Sequence, residues 1–268
     1  MKKNVIVHPT AVVAPEAKFE DNVNIGPYCI IGPDVVIGEG TRLRSHVVID
    51  GHVTIGKNND IYQFCSIGAP PQDVSYKGEP TRVVIGDNNI FREYVSIHRG
   101  TLKQDQITIV GSNCLFMAYV HVGHDVRIGD KVVLVNTTNI AGHVTIGDRV
   151  IIGGGTFISQ FITLGRGAYI GGATAIDHDI PPFCTALGNR VHLKGINIIG
   201  MRRHGYSKET VSEVVDFFRT MESSVLSPRA WIEKKENIET YTNNDIVKEM
   251  TDFIRKSEIG IAPFISSP

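Results

Sequence analysis

Residues 122–158 read VGHDVRIGDKVVLVNTTNIAGHVTIGDRVIIGGGTFI, and every sixth position is aliphatic: Val122, Ile128, Leu134, Ile140, Ile146, Ile152 and Ile158. Gly often follows the anchor, as at Gly123, Gly129, Gly147 and Gly153, and the residue two before it is small or β-branched, as at Val126, Val132, Thr138, Val144 and Val150. A period of six fits neither a 3.6-residue helix nor a hairpin array, because no turn chemistry separates successive runs. It predicts a hexapeptide β-helix in which each hexad is a short strand and a turn, the anchor points inward, and positions three hexads apart stack about 4.8 Å apart.

The register extends outward from this stretch. It holds without a miss from Val7 to Ile67, resumes at Ile85, Phe91 and Ile97, and runs from Val110 to Ile176. These 26 anchors predict roughly nine coils at three hexads each. Ladders of Ile and Val in a narrow prism account for an aromatic content of only 7%. Of 27 glycines, 26 lie before residue 206, whereas the single Trp, Trp231, lies beyond it. The expected organisation is mainly β, with a β-helix domain over 1–195 and a small α-helical domain over 196–268. In the latter, Ser207 is a plausible N-cap for a helix carrying Val211, Val214, Val215, Phe218 and Met221. Further helices are expected around Ala230–Thr240 and Asp245–Lys256.

A net charge of −1 excludes a globally basic nucleic-acid binder. No window approaches the ~18 apolar residues of a transmembrane segment, and the Val5-Ile6-Val7 run after Met1-Lys2-Lys3 is too short to read as an export signal. Cys29, Cys65, Cys114 and Cys184 show no CxxC pair and no metal spacing, and three of them fall two before an anchor, as small buried hydrophobes do. A reducing, cytoplasmic compartment is expected. Gly153-Gly154-Gly155 lacks the Lys-Ser/Thr of a phosphate loop, and no G-x-G-x-x-G opens a helix.

Loops that leave a regular solenoid are where function concentrates. The first break, Ala69–Arg82, puts Asp73 and Glu79 at anchor positions and returns to register at Ile85, three hexads after Ile67, which reads as one coil replaced by a loop. The second, Arg99–Thr108, sets Val110 one position beyond the two hexads expected after Ile97. Both should project from one part of the prism. Residues 190–208 carry Arg190, Lys194, Arg202, Arg203 and Lys208 with no acidic residue, an anion-binding surface suited to phosphates or an acidic protein.

Among ten histidines, His121, His124 and His143 cluster. The three-hexad register stacks Asp125 with His143, and His124 over Gly142 and then Gln160. Neutral imidazole can remove an alcohol proton, Asp125 can orient the ring, and a Gly142 N–H can meet a developing oxyanion, a set suited to acyl transfer to a hydroxyl. Two alternatives stay open on this pattern: a three-histidine Zn²⁺ site, as a metal-dependent hydratase would carry, and purely structural histidines.

Taken together, the hexads, Gln72-Asp73, Gly78 to Arg82, Ile97 to Thr101, His121 to Asp125, Ala141 to Val144, Gly188-Asn189 and the basic run ending at Arg203 resemble the acyl-carrier-protein-dependent UDP-N-acetylglucosamine O-acyltransferases of lipid A biosynthesis. The likeness spans nearly the whole chain. It implies a left-handed β-helix and a homotrimer with active sites in clefts between prisms. It also implies transfer of an (R)-3-hydroxyacyl group to the glucosamine 3-hydroxyl. The donor would be the phosphopantetheine of acyl carrier protein, with no metal, no other cofactor and no covalent intermediate. By the same resemblance His124 is the general base, Asp125 its partner and Gly142 the oxyanion donor. Gln72, Asp73, His121, His143 and Gln160 line the substrate cleft, Asn197 and Arg203 lie near the nucleotide, and Gly172 is the acyl-chain ruler. Three positions depart from the family pattern: Ser159 and Ser75 stand where His and Lys are usual, and Ile199 where an acidic residue is expected. They leave open a diverged N- or O-acyltransferase on a related sugar nucleotide, or an inactive trimeric binding scaffold.

Overall fold

The computed structural model describes residues 4–265. Two- to four-residue strands stack into three flat faces that close a left-handed parallel β-helix. The first face runs from Ile6–Val7 to Cys184–Leu187, the second from Val12–Val13 to Ala175–Ile176, and the third from Lys18–Phe19 to Thr163–Leu164. Within these faces the pairing is parallel, and in uninterrupted coils partners are three hexads apart, as in Val122↔Ile140↔Ile158. The anchors fill the prism, with Ile25, Ile49, Phe91, Ile140 and Ile152 all fully buried. At roughly 1.5–3 kcal/mol for each buried large aliphatic side chain, these ladders are the main term holding the coils together.

The two breaks differ in length from the sequence expectation, and the ladder explains how. Ile85 pairs with Ile55 and Ile97 with Ile67, in each case five hexads along the chain instead of three. The first break therefore replaces no coil; it adds two hexads to one. Val110 pairs with Ile85, four hexads and one position along the chain, so the second break adds a hexad and one more residue. A ladder holds its register only if surplus chain leaves at a corner, and both loops leave between the second and third faces.

The β-helix also continues past Ile176. Ile180 bridges Leu164, and Ala186 pairs with Ile170, a spacing two positions short of three hexads. The shortened coil hid this from a strict six-residue count, and it places Cys184 two before the inward Ala186. All four cysteines are buried free thiols.

The last coil would present a bare sheet edge. Strand His192–Ile196 pairs antiparallel with Cys184–Leu187, and Asp179 and Leu193 bridge Ile261 and Phe264, so the edge is covered. Helices α1 (Ile198–Arg203), α2 (Lys208–Glu222), α3 (Pro228–Ile232), α4 (Lys235–Ile238) and α5 (Asp245–Lys256) follow. Ser207 caps α2 by accepting from the Thr210 N–H. Val211, Val214, Phe218 and Met221 are buried, and Trp231 packs edge-on against Phe217. Among the described residues no helix is long and apolar enough to cross a membrane.

Candidate active site

The corner that extrudes both loops also carries the histidines. Strand His121–Val122 lies on the second face, and Gly123, His124 and Asp125 turn the chain into the third. Asp125, His143 and Phe161 occupy the same turn position on successive coils, each left-handed with φ of 60°, 65° and 66°. Asp and His tolerate that conformation better than most residues, so the turn itself sets which way these side chains leave the wall.

His124 is buried, and its Nδ1 lies 2.8 Å from Asp125 Oδ2. The same carboxylate accepts the Thr101 hydroxyl at 2.7 Å and the Thr101 N–H at 2.9 Å. Thr108 Oγ1 accepts the Asp125 N–H. Burial pushes the Asp125 carboxyl up, but the bonds from His124 and Thr101 outweigh it and hold the group below the ordinary carboxylate range. An ionised Asp125 therefore fixes the His124 tautomer, with hydrogen on Nδ1 and the Nε2 lone pair free to accept a proton.

The His124 ring lies against the Gly142 backbone. A β-carbon at 142 would stand 2.4 Å from Cε1 and 2.6 Å from Nε2, so only glycine leaves the ring its place. His143 crosses His124 almost at right angles, 4.9 Å between centroids, and stacks flat on Phe161 at 4.6 Å. Its Nδ1 bonds Gln104 Oε1 at 2.8 Å, and burial lowers its pKa. His121 is lowered too, by burial, and its Nδ1 meets Ser96 Oγ at 2.8 Å. His98, edge-on to His121, is pushed down to about 4 by burial first and its histidine neighbours second. Near neutral pH these three are uncharged imidazoles.

Loop residues complete the corner. Asp73 from the first loop pairs with Lys103 from the second at 2.6 Å, and Arg99 donates to the Tyr76 hydroxyl and the Gly68 carbonyl. The bonds from Lys103 first and Ser75 second keep Asp73 strongly acidic. A 510 Å³ cleft opens beside His143, between Lys103, Gln104 and Phe161 on one side and Phe253 and Lys256 of α5 on the other.

His121, His124, Asp125, Gly142 and His143 thus meet at one corner, with Asp73 tied to it through Lys103 and Gln160 exposed beside Phe161, whose N–H bonds the Gly142 carbonyl. Gln72 is exposed on the first loop. The other expected site residues stand elsewhere in the single chain. Asn197 and Arg203 line a separate 760 Å³ cleft with Lys131 and Arg149, and the Asn197 amide is committed to capping α1 and to the Gly167 carbonyl. Gly172 lies at the corner between the first and second faces, close to the Gly154 carbonyl. Thr101, Lys103, Gln104 and Thr108 were not anticipated. The break at Arg99–Thr108 marked the segment, but a loop off the lattice gives no periodic sign of which residues turn inward.

His124, Asp125 and His143 also offer ligand atoms within 4.8 Å of one another, the spacing of a metal site. Asp125 Oδ2 already bonds His124 and Thr101 and His143 Nδ1 bonds Gln104, while the Nε2 atoms of both histidines make no hydrogen bond among the described residues.

Known proteins share this architecture. Residues 179–262 match the second domain of UDP N-acetylglucosamine O-acyltransferase, and residues 16–51 match the six-repeat bacterial transferase hexapeptide family. The acyl-(acyl-carrier-protein)–UDP-N-acetylglucosamine O-acyltransferase of Janthinobacterium sp. (strain Marseille) is 42% identical over 263 residues, 96% of this chain and 98% of the relative. The enzyme of that name from Paraburkholderia phytofirmans is 46% identical over 257 residues, 95% and 98% of the two chains. LpxA from Acinetobacter baumannii superposes with a TM-score of 0.91 at 43% identity, covering 96% of this chain and 99% of the other. Arabidopsis UDP-N-acetylglucosamine acyltransferase superposes with a TM-score of 0.83 at 30% identity, covering 97% and 100%. Sequence and structure agree along almost the full length, and the chain belongs to the acyl-(acyl-carrier-protein)–UDP-N-acetylglucosamine O-acyltransferase family.

Proposed function

We propose that this chain transfers an (R)-3-hydroxyacyl group from the phosphopantetheine thioester of acyl carrier protein to the 3-hydroxyl of UDP-N-acetylglucosamine, directly and without a metal. The observation that carries the reading is the buried His124–Asp125 pair, 2.8 Å apart, lying against the Gly142 backbone. His124 Nε2 takes the hydroxyl proton as the oxygen attacks the thioester carbonyl. The Gly142 N–H, which has no hydrogen-bond partner among the described residues, donates to the oxyanion. Collapse of the tetrahedral intermediate expels the thiolate, which takes the proton back from the imidazolium.

Neither the cysteines nor Thr101 is placed to form a covalent acyl-enzyme. The four cysteines sit in the prism core, with burial pushing Cys65 up to about 12 and Cys114 up to about 11. The Thr101 hydroxyl donates to Asp125 and makes no bond to His124.

Gln72, Asp73, His121, His143 and Gln160 line the acceptor and donor cleft in this reading. Asn197 and Arg203 reach the nucleotide from a neighbouring copy in a cytoplasmic homotrimer, because within one chain they line a separate cleft. Gly172 leaves room for the end of the acyl chain, and the basic 190–208 stretch faces the acidic carrier. The scaffold over 1–195 supplies the chemistry and 196–268 the docking helices.

The test is turnover of UDP-N-acetylglucosamine with a series of 3-hydroxyacyl carrier proteins by wild type and His124→Ala. Loss of about 10²–10⁴-fold is expected on removing a general base. Near-wild-type turnover by the variant excludes His124 as the base, and nucleotide-sugar binding without turnover at any chain length identifies a binding scaffold.

A further inference from the structure

The Asp125 carboxylate has two histidines within reach. Its Oδ2 lies 2.8 Å from His124 Nδ1 and 3.8 Å from His143 Nδ1. Both rings leave the same corner, His124 at the turn position stacked over Gly142 and His143 at the one stacked over Asp125. What commits the carboxylate to one of them is a donor from the second loop. Thr101, itself fully buried, gives its hydroxyl to Oδ2 at 2.7 Å and its N–H to Oδ1 at 2.9 Å. A carboxylate oxygen has two lone-pair sites. On Oδ2 one is filled by Thr101 and the other by His124, and His143 turns its Nδ1 to Gln104 of the same loop.

The rest of the loop holds this arrangement in place. The Lys103 N–H donates to the Thr101 hydroxyl oxygen at 3.3 Å, and the Lys103 ammonium ties the loop to Asp73. Gly100, one residue earlier, leaves no room for a side chain: a β-carbon there would lie 2.2 Å from the Ile107 nitrogen and 2.8 Å from Asp125 Oδ1. Thr101 is thus delivered to the carboxylate by a loop packed directly onto it.

We propose that Thr101 is the positioning residue that turns Asp125 toward His124 and so decides which of two adjacent histidines serves as the base, an assignment that rests on His124 being the base in the reaction proposed above. Thr101 reaches no reacting atom; it acts through Asp125. With the hydroxyl gone, Oδ2 has a vacant lone pair, the carboxylate can rotate toward His143, and His124 loses the partner that fixes its ring and tautomer.

The experiment compares Thr101→Val, Thr101→Ala and Thr101→Ser with wild type in the full-length protein. Steady-state kinetics would use UDP-N-acetylglucosamine and a 3-hydroxyacyl carrier protein, with thermal melting as the folding control. Val keeps the shape and the backbone bond and removes only the hydroxyl; Ala covers the case in which Val does not fold. The expected result is a fall in kcat of about 10–100-fold with both KM values within about twofold, the pattern of a lost transition-state interaction. Ser, which keeps the donor, should stay within about threefold of wild type. Folded Val or Ala variants with wild-type kcat, or a Ser variant as impaired as Val, overturn the proposal. A purely structural role would lower the melting temperature without this kcat-specific, Ser-rescued loss. His124→Ala separates the two levels: an active His124→Ala removes the base assignment, whereas an inactive one beside a fully active Thr101→Val removes only the role of Thr101.

Discussion

Gly142 and His124 are packed so closely that a β-carbon on the glycine would fall inside the imidazole ring's contact distance, 2.4 Å from Cε1. Gly142 is not in the left-handed region, so its backbone would accept alanine without strain. The conflict is with the ring alone, and the ring is the movable partner. Gly142→Ala should therefore fold with a melting temperature close to wild type yet lose about 10²-fold or more in kcat, the scale set by a displacement of about 1 Å at a reacting group. Parallel melting and turnover measurements check it. Wild-type turnover would mean that the observed ring position is not the working one.

His98 predicts a pH dependence of stability. Burial and the neighbouring His121 and His124 push it down to about 4, whereas an unfolded histidine titrates near 6.5. Between those values the unfolded chain binds a proton that the folded chain refuses. Stability contributed by keeping His98 neutral is thus complete above about pH 6.5 and drains away on acidification toward pH 4. Over the full window the term amounts to roughly 3 kcal/mol at about 1.4 kcal/mol per unit. His98→Gln should flatten the fall in unfolding free energy between pH 7 and pH 4.5 by roughly 2 kcal/mol, read from denaturant melts at each pH. Parallel curves for variant and wild type would refute the assignment.

Lys103 and Asp73 join the two loops across the mouth of the cleft. Lys103 is half exposed, so its contribution to folding is small, and its effect is on where the Asp73 carboxylate stands. Lys103→Met keeps most of the stem and removes the charge. The expected outcome is a rise of roughly 3–10-fold in KM for the sugar nucleotide with kcat little changed, the signature of weakened ground-state binding. Added salt should narrow the gap between the two proteins, since the Lys103 end of the pair is exposed and screened. An unchanged KM would remove Asp73 from the acceptor site.

How much of this was legible in the sequence divides along the lattice. Ile140, Ile146 and Ile152 announce the prism because a parallel ladder demands the same inward position every turn. The stacking of His124 over Gly142 and of Asp125 beside His143 follows from the same arithmetic. The loops were misjudged because Ile85 was counted from Ile67, its predecessor in the chain, whereas its ladder partner is Ile55 on the coil below. Thr101 stands in a stretch that carries the family likeness, but neither it nor Gln104 shows its contact in the sequence: both reach the site through loop conformation, which no repeat encodes. Asn197 reads two ways, since an Asn before a short helix is as readily an N-cap as a ligand, and its side chain does cap α1.

The junction between prism and helices gives the last prediction. Arg166, on the turn that follows strand Thr163–Leu164, makes a two-pronged ion pair with Glu249 of α5 and donates to the Tyr206 hydroxyl at 2.8 Å. Its guanidinium also lies 4.8 Å over the Phe183 ring. A planar guanidinium matches a carboxylate with two parallel bonds, which lysine cannot do. Both charged side chains are largely shielded, so removing one leaves the other short of partners, whereas removing both leaves no stranded charge. Glu249→Leu alone should cost about 1–3 kcal/mol and Arg166→Met alone a comparable amount, each leaving one charge without its partner. The double change Arg166→Met/Glu249→Leu should lose less than the sum of its singles, because the pair acts as a unit. Urea unfolding of the four proteins completes the cycle. Strict additivity would mean that the contact holds the helices no more tightly than its two side chains do independently.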